Sequence, residues 1–144
     1  MRIYLDMCCL KRPFDDQSQP RIRLESEAVL ALLASPTAEF IRSPALLLEN
    51  DRNPLRWRAA RVRSWLEAGP PVELPETAMS ARIGEFFALG FKNFDSFHLA
   101  SAELAGCDAF CTTDDRLLAT ARRQVSSIQV RVLNPVDLAR EIMP

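Results

Sequence analysis

The sequence predicts an α/β fold in which a mostly parallel central sheet of about five strands is covered by helices on both faces. Three observations lead there. Short runs of β-type residues alternate with longer stretches of helical periodicity, and prolines and glycines fall at the boundaries between them. The length of 144 residues, 48% apolar and 26% charged, suits one domain spanning 1–144 around one core.

Arg2 to Asp6, RIYLD, reads as the first and central strand, with Asp6 at its carboxyl end. Cys8 to Pro20, rich in Pro, Asp, Gln and Ser, reads as a loop. From Arg21 to Leu33 the apolar residues Ile22, Leu24, Ala28, Val29, Leu32 and Leu33 recur at helical spacing. Glu39 to Arg42 is a brief second strand, and Ser43-Pro44 opens a helix with serine as cap and proline in its first turn. That helix carries Glu49 behind Leu46, Leu47 and Leu48. Leu55 to Ala68 forms another helix, stopped by Gly69-Pro70-Pro71. Val72 to Leu74, between prolines, reads as an edge strand. Glu76 to Leu89 is a helix closed by Gly90, and Phe94 to Ala105 is the next. Ala109 to Thr112 is a strand, Asp115 to Arg123 a helix, Ile128 to Leu133 a last strand and Val136 to Ile142 a final helix.

No apolar run approaches the length that crosses a bilayer, and Asp6 interrupts the only apolar segment at the amino end, so a cytoplasmic protein without a membrane partner is expected. The cysteines, Cys8, Cys9, Cys107 and Cys111, lack the paired CxxC spacing of a zinc ribbon or redox motif and read as small apolar residues. A net charge of −1 argues against a surface coated in basic residues. Of the 18 basic residues only Lys11 and Lys92 are lysine.

Ligands of open parallel sheets bind beyond the carboxyl ends of the strands, where strand order reverses. Asp6 ends the first strand and Asp114 follows the strand Ala109 to Thr112, so the two share that crevice if those strands are neighbours. Asp95 opens the preceding helix, and Glu49 completes a set of four carboxylates. Taken singly, Asp95 and Asp114 also read as helix caps and Glu49 as a solvated residue. Together they are expected to converge on a common point, where like charges demand a cation. Oxygen ligands without clustered His or Cys suit Mg²⁺ or Mn²⁺, and the chemistry that follows is phosphodiester hydrolysis. His98 shares a helical face with Asp95 and reads as a histidine packed under the site, outside the catalytic set. The stretch Arg52, Arg56, Arg58, Arg61, Arg63 reads as a solvated face or as a groove for RNA phosphate, with Arg52 and Arg56 favoured for the latter. Positions 56 and 58 lie about 200° apart around a helix, so one face cannot present all five.

Four segments, RIYLDMCCLKRPFDDQ, SPALLLEND, FDSFHLASAELAGCDAFCTTDDRLL and VRVLNPVDL, resemble in matching order a PIN domain, similar to the small bacterial VapC-type toxin ribonucleases. The resemblance implies a three-layer α/β/α sandwich and a metal-dependent endoribonuclease, the toxin of a type II toxin-antitoxin pair. It matches Asp6, Glu49, Asp95 and Asp114 to the catalytic acids, with Asp6, Asp95 and Asp114 as ligands of Mg²⁺ or Mn²⁺. It also implies that the Thr112 hydroxyl orients the site and that Asp115 is an outer ligand. Arg12, in the loop after the first acid, joins Arg52 and Arg56 as a candidate substrate contact. RNA, an antitoxin protein and a second copy of the chain are the implied partners. Met7 stands where the family commonly has a small polar residue after the first acid.

Two other phosphate-handling folds with an aspartate after the first strand fail on single residues. A haloacid-dehalogenase-type phosphatase needs an aspartate where this chain has Cys8, and a receiver domain needs an acid pair there and a lysine after the last strand. The remaining alternative is a catalytically silent PIN-like binding or regulatory module.

Overall fold

The structure is a computed structural model and describes residues 1–143. Its sheet contains β1 (Arg2–Leu5), β2 (Glu39–Phe40), β3 (Ala109–Cys111) and β4 (Arg131–Leu133), in the order β2-β1-β3-β4 with every neighbouring pair parallel. Register pairs Ile3 with Phe40 on one side of β1 and Leu5 with Cys111 on the other. Residues 3–5 and 109–111 are no more than 1% exposed, as expected of strands covered on both faces. Alternation along the strands points the register partners Tyr4 and Phe110 to one face, where their rings stack with centroids 5.2 Å apart.

The helices are α1 (Met7–Lys11), α2 (Pro20–Leu33), α3 (Pro44–Asp51), α4 (Arg56–Glu67), α5 (Glu76–Ala88), α6 (Asn93–Leu104), α7 (Asp115–Arg123) and α8 (Pro135–Ile142). Ser43 caps α3 by accepting the Leu46 N–H, with Pro44 in the first turn. Small buried residues, Ser96, Ala100, Ser101 and Ala102, let α6 approach its neighbours closely. It packs on α5, while α2 pairs with α8. Gly90 and Gly106 follow α5 and α6 with φ of 102° and 71°, the left-handed conformation that ends a helix most cheaply at glycine.

Three expectations need correction. The sheet has four strands rather than about five, because Val72–Leu74 contributes only one backbone bond, from the Val72 N–H to the Arg42 carbonyl at 2.8 Å. Pro71 and Pro75 flank that segment directly and keep the pairing from extending in either direction. The stretch after Asp6 is not a loop throughout: Asp6 accepts the Met7 N–H and starts α1, followed by a 3-10 turn at Arg12–Phe14. Finally, β4 begins at Arg131 rather than Ile128: a second 3-10 turn at Val125–Ser127 precedes it, and the Gln129 N–H is taken by the Glu103 carboxylate at 2.7 Å. Among the described residues no helix is long and apolar enough to cross a membrane.

Candidate functional site

Because β1 and β3 are adjacent while β2 lies on the other side of β1, strand order reverses at β1, and the crevice beyond it receives residues from both strand ends. Asp6 leaves β1 there and is 5% exposed. Three donors fix its carboxylate. Oδ1 accepts the Met7 N–H at 2.8 Å, and Oδ2 accepts the Thr112 hydroxyl at 2.8 Å and the Cys8 thiol at 3.4 Å. Thr112, just past β3, also accepts the Asp114 N–H, so one hydroxyl ties together the two strand ends. Burial, aided by the Glu49 charge, raises the Asp6 pKa against the opposing pull of His98, Thr112 and Cys8.

Glu49 reaches the same point from the last turn of α3. Its Oε1 lies 3.1 Å from His98 Nε2, which in turn is 3.9 Å from Asp6 Oδ1. A carboxylate can only accept, so Nε2 carries the hydrogen given to Glu49. The other ring nitrogen, Nδ1, meets the Tyr4 hydroxyl at 2.6 Å, and that hydroxyl also bonds Ser43 Oγ. Tyr4, Ser43 and His98 are all fully buried. Burial works to lower the His98 pKa, yet the Glu49 bond and the charges of Asp6, Glu49 and Asp95 leave it raised.

Asp95 is different. It lies in the first turn of α6 but does not cap it, since Lys92 is the N-cap residue and supplies no side-chain bond. Among the described residues the Asp95 carboxylate has no hydrogen bond and no ion pair. Burial, then repulsion from Asp6 and Asp114, pushes its pKa up to about 7. Asp114 does cap a helix, accepting the N–H groups of Arg116 and Leu117 at the start of α7. Both acids line a cavity of about 300 Å³ between α6 and α7.

The four carboxylates therefore do not meet at one tight point. Asp6, Glu49 and His98 offer atoms that all lie within 4.8 Å of one another, whereas Asp95 and Asp114 stand outside that group and face it across the crevice. Asp115 is turned away, 72% exposed in its side chain and held by both outer nitrogens of Arg21. Arg12 is enclosed between Asp15 and Glu25, and Arg56 folds back on the carbonyls of Asp51 and Asn53. Arg52 lies over the Phe94 ring, 5.2 Å from its centroid, without a carboxylate partner among the described residues. The sequence reading missed Tyr4, Ser43 and Cys8. Tyr4 was within reach, since it is two residues before Asp6 on the same side of an extended chain.

Asp6, Glu49 and His98 are close enough together that they could hold a metal ion. Among the described residues no lysine or arginine makes an ion pair with any of the four acids, and one imidazole cannot neutralise them. Hard oxygen donors predominate, the chemistry preferred by Mg²⁺ and Mn²⁺. No protein-family model, curated protein or solved structure matches the chain.

Proposed function

We propose that this chain is a PIN-like, metal-dependent endoribonuclease that hydrolyses RNA phosphodiester bonds in the crevice at the end of β1. The observation that carries the reading is Asp95. A half-buried carboxylate with no partner, near Asp6 and Asp114, holds its negative charge poorly, and a bound cation would let it stay ionised at neutral pH. The three-layer α/β/α arrangement fits a parallel sheet that reverses at β1, because right-handed crossovers in opposite directions lay helices on opposite faces.

Asp6, Asp95 and Asp114 would hold the metal, with Glu49 beside them. The bound ion supplies Lewis acidity and lowers the pKa of the attacking water. The remaining work falls to the chain. Thr112 and Cys8 fix the orientation of Asp6. His98 holds Oε1 of Glu49 and leaves Oε2 to accept a proton from water. The same chemistry serves a toxin paired with an antitoxin protein and a homodimer, which co-purification and light scattering would test.

Incubating a mixed RNA pool with the protein and Mn²⁺ should give defined cuts that EDTA abolishes. Asp6→Asn and Asp95→Asn should each reduce the rate by about 10² or more, since each removes a charge that acts on the transition state. Cleavage that survives both substitutions would overturn the site. Absence of cutting together with absence of metal binding would favour the silent binding module.

A further inference from the structure

We infer that the cavity between α6 and α7 seats the substrate backbone, with Lys92, Arg116 and Arg123 binding phosphate groups of single-stranded RNA beside the carboxylates. The identity of the polyanion rests on the ribonuclease reading. The surface itself rests on geometry. The cavity of about 300 Å³ has Asp95 and Asp114 in its lining and carries these three cations around them. All three are exposed. None makes an ion pair among the described residues, and Arg123 touches only the Thr120 hydroxyl.

Arg116 and Arg123 are seven residues apart, two turns of α7, so they share a face and stand about 10 Å from each other along the axis. Ala119 and Thr120 complete that face within the cavity. Small residues between two open cations leave room for a chain to lie along the helix, as in grooves that track a single strand. The denser arginine run at 52–63 is a poorer candidate. Arg58 is bound to Asp15, Arg63 to Asp51 and Glu67, and Arg56 to backbone carbonyls.

Fluorescence anisotropy of a labelled single-stranded RNA, with EDTA so that no strand is cut, measures the contact directly. The double variant Arg116→Ala/Arg123→Ala should weaken binding at least about tenfold and flatten the slope of log K on log salt by about 1.4, the value for two lost phosphate contacts. Arg116→Lys should retain most of the binding, and the control pair Arg23→Ala/Arg61→Ala should behave as the parent protein. An unchanged slope in the α7 variant, or an equal loss in the control, would overturn the proposal. Metal-dependent cleavage by the parent protein with undiminished RNA binding by the α7 variant would remove this surface and leave the site standing. Loss of binding in the α7 variant of a protein that never cuts RNA would do the reverse.

Discussion

The hydroxyl of Tyr4 joins Ser43 to His98 in a place without water access, and so sets which way the imidazole faces. Removing it by Tyr4→Phe leaves two buried polar groups short of a partner and should cost about 1–3 kcal/mol in urea unfolding. It should also loosen Glu49, so a fall in cleavage rate beyond what the lost stability explains is expected. Asp95 makes a pH prediction for the metal-free protein. Burial and the charges of Asp6 and Asp114 push its carboxyl up to about 7 in the folded chain, against about 3.9 unfolded, so the folded state binds the extra proton between those values. Stability is therefore greatest at the acid end of that window and falls as pH rises through it, and Asp6, also raised, adds to the fall. Melting temperature at pH 5 should exceed that at pH 7.5, and Asp95→Asn should flatten the difference. A melting temperature that rises over this range would contradict the assigned burial of these acids.

Between elements, Glu25 is a second buried carboxylate that gathers donors from several parts of the chain, as Asp6 does at the crevice. From α2, where its side chain is 3% exposed, it accepts from Arg12 at 3.1 Å and from Asn134 at 2.6 Å. Arg12 continues to Asp15, which binds Arg58 of α4, while Asn134 caps α8. One carboxylate thus links the turn after α1 to α2, α4 and α8. Glu25→Ala should destabilise by about 1–3 kcal/mol, because Arg12, left with Asp15 alone, and Asn134 both lose a buried acceptor. A change within 0.5 kcal/mol, roughly that of an ordinary surface substitution, would deny it that role. Elements with a local signal were legible in the sequence: Ser43-Pro44 started α3, and Gly90 ended α5. The five residues of α1 are too few to show periodicity, and their start depends on the Asp6 cap. Asp6 and Asp114 could be read from strand ends, but the Cys8 contact with Thr112 depends on β1 lying next to β3, which no local pattern encodes. The arginine run at 52–63 shows the same limit. Charge density is visible in sequence, whereas whether a charge is already paired is a tertiary fact.

Over the whole molecule, the acids gather at one end of the sheet, and the cations around the α6–α7 cavity continue that end outward. A ligand that binds only the folded state stabilises it, by about 2.7 kcal/mol at a hundredfold excess over Kd. Mn²⁺ should therefore raise the melting temperature, EDTA should reverse the rise, and Asp6→Asn with Asp95→Asn should remove it. The strand order has a further consequence, for synthesis. β1 binds β2 within about forty residues of chain, yet its other partner is distant: Asp6 and Thr112, which join the two strand ends, are 106 positions apart. During translation one edge of RIYL stays open until β3 emerges, a pairing site for any passing strand. Of the four strands, the one made first waits for its second partner until the third is made.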